Sequence, residues 1–367
     1  MIKRALVYDW LLNKGGGEKT LEAIAEMVPG PLYTLLADPQ KFSNTILGKR
    51  EIHSSFLQKI PFSKKIYRYL LPLFPRAIET LDVSGYDCVL SISHAVAKGV
   101  VVEPEQLHLC YCYTPMRYAW HLEACYLEGL STLKKSIARR VLQRLRNWDL
   151  ASLCRVDHFA AVSHCVAERI KTFYKRQAQV IYPPVETSAI ALCTQKEDYF
   201  LTVSRLVPYK KIDLLVETFA YLPHKRLFVI GEGPEMQKLR RMAPKNVTLL
   251  GYQADVQPFL QKARAFIFAA DEDFGIAPVE AQAAGTPVIA FGKGGALETV
   301  RAEETGLFFT EQSQRSLLQA IERFEKREWD PVKIRSHALS FSKERFQREF
   351  LQFIESKTDE SDRTGRR

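Results

Sequence analysis

Two glutamates raise the first chemical question. In "DEDFGIAPVEAQAAGTPVIA" (271–290), Glu272 and Glu280 stand with seven residues between them, Gly275 and Pro278 among these. A carboxylate accepts two hydroxyl hydrogen bonds at once, so each glutamate suits a vicinal diol. The preceding "ARAFIFAA" (263–270) reads as a buried parallel strand. "PVEAQAAG" follows as a short helix, with Pro278 at its first position and Gly285 at its stop. This puts Glu272 at the carboxyl end of a strand and Glu280 in the first helical turn. Ligands of open α/β sheets bind at those strand ends, and a helix start offers free N–H groups to phosphate. Gly275 lets the backbone between the carboxylates approach a ligand closely. The segment thus offers a phosphate seat between two diol clamps, one for a ribose and one for a transferred hexose. Both glutamates also fit as surface charges favouring the helix dipole.

The elements that must position these groups alternate short apolar runs with longer amphipathic ones, the pattern of an α/β fold with mainly parallel sheets. Strands are expected at 4–10, 87–93, 107–113 and 158–163, then at 199–204, 226–231, 246–251, 263–270 and 286–291. "VIYPPVETSA" (180–189) breaks the rhythm, because two prolines force extended chain. The expected domains are therefore 1–182 and 183–345, with 346–367 as a helix end running into a frayed polar tail, "SKTDESDRTGRR". "GGG" at Gly15, Gly16 and Gly17 follows the first strand and precedes a helix pattern, where it suits a phosphate or an acceptor sugar.

Composition narrows the classes. The chain has 367 residues, 46% hydrophobic and 26% charged, enough for two domains. No run approaches the roughly 18 apolar residues of a membrane span, and the start lacks the apolar segment of a signal peptide. Seven scattered cysteines without a Cys-x-x-Cys pair read as reduced thiols of a cytoplasmic protein. The net charge of +10, from 52 basic and 42 acidic residues, favours an anionic partner or serves solubility.

"EDFGIAPVEAQAAGTPVIA" resembles the Glu-x7-Glu signature of retaining family-4 glycosyltransferases of the GT-B fold. "VSRLVPYKKIDLLVETF" (203–219) is similar to the family's Arg-Leu-x-x-x-Lys segment, "VIGEGPEMQKL" (229–239) to its Gly-x-Gly-Pro segment, and "GGALETV" (294–300) to the loop after the signature. "DWLLNKGGGEKTLE", "SISHAVAKGV" and "YTPMRYAWHLE" resemble a subgroup of bacterial GDP-mannose-dependent mannosyltransferases of surface-polysaccharide synthesis. The resemblance implies two Rossmann-like domains facing across a cleft, nucleotide sugar bound by the second and acceptor by the first. Glu280 would hold the ribose and Glu272 the transferred sugar. Backbone at Phe274, Gly275 and Ile276, with Gly231 and Gly233, would line the donor. Arg205 and Lys210 would neutralise the diphosphate, whose charge grows as the glycosidic bond breaks.

Where many relatives carry His-Thr-Pro this chain reads "CYTP", so Tyr113 stands in the histidine's place. His94 is a second catalytic candidate, and Arg117 would face a donor or acceptor phosphate. The "DED" at 271–273 imitates a metal motif of another glycosyltransferase class, but protein cations meet the diphosphate in this fold, so no metal or other cofactor is expected. The rivals are a sugar-nucleotide epimerase of the same fold and a non-catalytic sugar-nucleotide-binding subunit. An NAD-dependent dehydrogenase fails on the missing dinucleotide glycine pattern.

Two further stretches mix cations with apolar residues. "SKKIYRYLLPLFPRAI" (63–78) and "STLKKSIARRVLQRLRNWDL" (131–150) both read as basic amphipathic helices suited to an anionic bilayer surface, or as ordinary surface helices. With a saccharide or lipid-linked saccharide as acceptor, they imply peripheral attachment to the inner face of the cell membrane. No nucleic-acid recognition motif is present.

Overall fold

The computed structural model describes residues 2–363. It divides into two compact units, the first running to Tyr182 and resuming at Phe346, the second spanning Pro183–Arg345.

The first unit is a seven-stranded sheet: β1 (Arg4–Tyr8), β2 (Leu32–Thr34), β3 (Ile52–Ser54), β4 (Cys88–Ser93), β5 (Leu107–Cys112), β6 (His158–Ala161) and β7 (Ala178–Val180). The order is β3-β2-β1-β4-β5-β6-β7, with every pair parallel. The second unit is a six-stranded parallel sheet in the order β10-β9-β8-β11-β12-β13. Its strands are β8 (Tyr199–Val203), β9 (Arg226–Ile230), β10 (Val247–Gly251), β11 (Ala265–Phe268), β12 (Val288–Phe291) and β13 (Gly306–Phe309). The central strands β4, β5 and β11 are buried at every position, because helices cover both faces of a parallel sheet. Separate apolar clusters fill the two faces of the first sheet, and another packs the second. All seven cysteines are unbridged.

All nine expected strands are present. β2, β3, β7 and β13 were not expected, being only three or four residues long, too short to show a period.

Two other expectations change. The tail is not frayed from Ser356, because the helix Lys343–Arg363 continues through it. Phe346, Phe350, Phe353 and Ile354 lie three, four or one apart on one face and are buried in the first unit. Tyr111 meets the Phe346 and Phe350 rings at 5.7 and 5.5 Å, and this packing holds the polar continuation in place. Residues 364–367 of the expected tail lie outside the described residues. The stretch 63–78 is not one helix. It breaks into Ser63–Ile66, a 3₁₀ stretch Tyr67–Leu73 and the helix Phe74–Glu79, since Pro72 and Pro75 each lack the N–H a continuous helix needs.

The basic stretch 131–150 does form a helix, Thr132–Ala151. Its lone acid, Asp149, is buried against Lys98 and takes hydrogen bonds from Trp120 Nε1 and Tyr174 Oη, both at 2.8 Å. A buried carboxylate with three donors pins the carboxyl half of the helix to the first domain.

His108, on β5, is fully buried with both ring nitrogens engaged: Nδ1 lies 2.6 Å from the Arg155 carbonyl and Nε2 lies 2.8 Å from Ser91 Oγ. Burial pushes its pKa down to about 4. The unfolded chain therefore takes up this proton first, and the stability held by neutral His108 is lost as pH falls from about 6.5 to about 4. Urea unfolding across that range should show a pH-dependent loss that is about 3 kcal/mol smaller in His108→Gln, a side chain that does not titrate. Equal slopes in both proteins would contradict this assignment.

Candidate active site

In each sheet the strand order reverses once, between β1 and β4 and between β8 and β11. Connections on either side of such a point leave on opposite faces and open a crevice at the carboxyl ends of the strands. Gly15–Gly17 and His94 follow the strands of the first reversal and Arg205, Lys210 and Glu272 those of the second, while Tyr113 and Arg117 follow the adjoining β5 and Gly231 and Gly233 the adjoining β9.

In the second domain, the loop after β8 carries Arg205 and Lys210, and the loop after β11 carries Glu272. Lys210 Nζ pairs with Glu272 Oε1, each side chain only 15% exposed. Two residues with separate expected roles, one on phosphate and one on sugar, thus form a single charged unit. Arg205 is exposed, and its Nη2 donates to Tyr209 Oη at 3.0 Å. Lys210 also lies 5.5 Å from the centre of the Tyr209 ring.

The helix after Glu272 begins earlier than its sequence suggests. Gly275, with φ 91°, caps a helix spanning Ile276–Ala283. Pro278 is therefore its third residue rather than its first, and Glu280 lies in the second turn, half-buried. The left-handed glycine turns the chain at once into the helix, and a proline is still harmless there because first-turn N–H groups have no intrahelical partner. The N–H groups of Ile276 and Ala277 occupy this helix start. The Phe274 side chain is buried against Phe341, ring centres 5.5 Å apart, so only its backbone is available to a ligand. Gly285, at φ 76°, follows the helix as its stop.

Gly231 and Gly233 bring two loops together. Ser204 N–H donates to the Ile230 carbonyl at 3.0 Å and Leu206 N–H to the Glu232 carbonyl at 2.9 Å. A Cβ on Gly231, whose φ is 134°, would collide with the Ser204 carbonyl oxygen, and one on Gly233 with that of Leu206. Their visible role is to seat the Arg205 loop. A matching pair, Gly294 and Gly295, seats the other side. Gly295 N–H donates to the Glu272 carbonyl at 2.7 Å, and a Cβ there would strike the Phe274 backbone. Lys293 Nζ lies 3.0 Å from Asp271 Oδ2. Sequence reasoning did not place these three residues in the site, although the adjacent glycines of "GKGG" were the available signal.

In the first domain the centre is a residue the sequence reading passed over. Asp9, directly after β1, is fully buried, and its carboxylate accepts four backbone N–H bonds from the turn after β4. His94 and Ala95 donate to Oδ2 at 2.7 and 3.0 Å, Val96 and Ala97 to Oδ1 at 2.6 and 2.7 Å. His94 Nδ1 lies 3.0 Å from the same Oδ2. Burial opposes ionisation, but the His94 charge and hydrogen bond, with the backbone donors, hold the Asp9 pKa below its ordinary value.

Tyr113 follows β5 and donates its hydroxyl to the Gly17 carbonyl at 2.8 Å. Burial, then Tyr111 and Glu18, push its phenol up, so it stays protonated. The expected catalytic Tyr113 is thus engaged in clamping the glycine loop. Gly15 caps the helix Gly16–Met27, and a Cβ on Gly17 would come within 2.9 Å of Tyr8 Oη, which itself donates to Glu18 at 3.1 Å. Arg117 lies half-buried in the loop after β5.

With this geometry in place, the chain can be set beside known proteins. The family described as "Glycosyl transferases group 1" matches residues 186–341, the stretch holding Arg205, Lys210, Glu272 and Glu280. Residues 186–341 thus carry this family's domain, and the fold of the chain is similar to that of GT-B glycosyltransferases.

It is 28% identical to the lipopolysaccharide core biosynthesis glycosyltransferase LpsE of Rhizobium meliloti over 172 residues, 43% of this chain and 51% of that one. It is 36% identical over 124 residues to a GDP-mannose-dependent alpha-(1-6)-phosphatidylinositol monomannoside mannosyltransferase of Mycobacterium tuberculosis, 29% of this chain and 32% of the other. The chain spans about half or less of the length of these curated relatives. Among solved structures, Anabaena HepE in complex with UDP-glucose is similar in fold, with a TM-score of 0.67 at 17% identity, covering 96% of this chain and 100% of that one.

The loop geometry is open to a direct check. Gly231→Ala puts a methyl group against the Ser204 carbonyl at a left-handed φ, and should cost about 1–3 kcal/mol. The loss should appear in chemical unfolding followed by a second-domain probe. An unchanged midpoint would mean the two loops do not depend on their close approach.

Proposed function

We propose that the protein is a retaining glycosyltransferase that moves a hexose, mannose from GDP-mannose, to a saccharide or lipid-linked saccharide in surface-polysaccharide synthesis. The observation that carries this reading is the Lys210–Glu272 pair, set beside a helix start and Glu280 at the second sheet's reversal.

Glu280 accepts the ribose hydroxyls and Glu272 the hydroxyls of the transferred sugar. The diphosphate meets the N–H groups at Gly275–Ala277 together with Arg205 and Lys210. These charges are fixed in place before the reaction, so they stabilise the leaving diphosphate as its charge develops. No metal is needed for that task. No residue of the site stands out as a covalent nucleophile, which favours a same-face displacement assisted by the leaving phosphate. The mannose assignment is supported by the name of the mycobacterial relative. HepE binds UDP-glucose, so the base must be measured on this chain.

Peripheral attachment to the inner face of the cell membrane belongs to the same proposal. Among the described residues no helix is long and apolar enough to cross a membrane. The outer half of Thr132–Ala151 exposes Leu133 (72%) and Ile137 beside Lys134, Arg139 and Arg140. Leu71, of the broken 67–73 stretch, packs against the cluster of Leu127, Leu142 and Leu145 that this helix helps to form, and Phe62 and Tyr69 (85%) are exposed nearby in sequence. Apolar side chains interleaved with cations fit an anionic lipid surface.

Two measurements test the reading. GDP and GDP-mannose should raise the melting temperature where UDP, ADP and NAD do not, since ligand at 100 times its dissociation constant adds about 2.7 kcal/mol. Glu280→Ala should lose the shift from bare GDP, and Glu272→Ala should keep it while losing the extra shift from the sugar. Equal effects of both on bare GDP would refute the division of roles. For the membrane, the protein should float with vesicles containing phosphatidylglycerol and be released by salt. Absence of flotation on such vesicles at low salt would remove attachment from the proposal.

A further inference from the structure

The first domain contains two histidines in opposite situations. His108 is fully buried with both ring nitrogens bonded, the arrangement of a structural side chain. His94 is 28% exposed, and among the described residues its ring has a single polar partner, Asp9. Asp9 is in turn fixed by the four N–H bonds of the turn that carries His94 itself. An ionised carboxylate facing Nδ1 holds the proton there, which leaves Nε2 as a hydrogen-bond acceptor.

The surroundings define what Nε2 can receive. Trp10 packs edge-on to the His94 ring at 4.5 Å, and the rings of Tyr8 and Tyr113 lie at 6.0 and 6.2 Å. The glycine loop begins a few residues further along, tied down through Tyr113 to Gly17. Tyr8 is buried, but one oriented polar acceptor beside the half-buried Trp10 and Tyr113 rings, at a sheet's reversal point, is the chemistry of a sugar site: C–H faces against rings, a hydroxyl to the nitrogen. Trp10 also contacts Tyr67 and Phe74, at 5.5 and 5.7 Å, so this site adjoins the broken apolar and basic stretch 63–78.

We propose that His94, oriented by Asp9, accepts a hydrogen bond from a saccharide hydroxyl at Nε2, and that Trp10, Asp9 and His94 form the acceptor subsite of the protein. The inference rests on the transfer reaction proposed above. His94 would touch the substrate, and Asp9 is a positioning residue acting through it.

The two amides separate this role from a structural one. In His94→Asn the amide nitrogen replaces Nδ1 and keeps the bond to Asp9, while the group offered to the sugar is gone. In His94→Gln the amide reaches the place of Nε2. The probes are the methyl α-pyranosides of mannose, glucose and galactose, read by saturation-transfer NMR on the full chain without nucleotide.

At least one should receive saturation from the wild type. His94→Asn should weaken it by about fivefold or more, the weight of one hydrogen bond, while its melting temperature and its shift with GDP stay unchanged. His94→Gln should restore part of the signal. Equal saturation in wild type and His94→Asn would overturn the proposal. So would the absence of saturation from all three sugars in a protein that binds GDP, whereas a protein that binds no nucleotide would instead condemn the donor reading.

Discussion

Both sites depend on one topological constraint. All strands of a sheet run parallel, so every connection that could carry chemistry leaves from the same edge, and only where the order reverses do neighbouring connections part to leave a crevice. The two domains hold that crevice open differently. In the first, a side chain does it: one carboxylate, Asp9, gathers the four N–H groups that begin the turn after β4. Without it those buried donors would be unsatisfied, at about 1–3 kcal/mol each. In the second, backbone meets backbone, and the requirement falls on glycines. Gly231, Gly233, Gly294 and Gly295 each stand where a Cβ would strike a neighbouring main chain. The loop of Glu272 is therefore flanked by contacts that tolerate no side chain.

This difference explains what the sequence revealed. Long, buried parallel strands carry continuous apolar runs, and all nine expected strands exist. The three-residue strands β2, β3 and β7 carry no period of their own and form on the ladders of their neighbours, β2 on β1, β3 in turn on β2, and β7 on β6. The Glu272 and Glu280 segment was legible because glycine, proline and carboxylate stand at fixed offsets. Its helix start was misplaced by two residues, since the position of Pro278 alone does not distinguish a first from a third helical residue. Asp9 was illegible. An acid after an apolar strand looks like a loop charge, and its donors come from residues 94–97, far along the chain. Tyr113 was recognised by its place in a motif, but its hydrogen bond to Gly17 could be seen only in three dimensions.

The same reasoning applies to the basic helix Thr132–Ala151. Amphipathic pattern alone left a membrane surface and an ordinary surface helix equally open. The structure divides the helix into two halves. Leu142, Leu145 and Asp149 turn inward, with Asp149 paired to a buried Lys98 that also lies 5.6 and 5.2 Å from the Trp148 and Tyr174 rings. Such a pair contributes little net stability, but it fixes which face of the helix points in. Lys134, Arg139, Arg140 and Arg144 are then held outward together with Leu133 and Ile137, an arrangement that solubility alone does not require.

The pairing of Lys210 with Glu272 bears on the proposed transfer more directly. A donor site has to place a carboxylate near the transferred sugar and, a few ångströms away, a diphosphate that becomes more negative as the bond breaks. Two unit charges of like sign about 4 Å apart at a protein surface repel by about 4 kcal/mol. An isolated Glu272 would therefore work against the leaving group it sits beside. With Lys210 on Oε1 the pair is locally neutral, the second oxygen can still accept hydroxyl hydrogens, and the ammonium retains donors for phosphate. Arg205, on the same loop but exposed and donating to the Tyr209 hydroxyl, would keep its charge for the diphosphate of the proposed donor. In the proposed transfer the loop after β8 would thus supply two cations with different tasks: one would cancel the carboxylate's repulsion, and the other would meet the charge that grows.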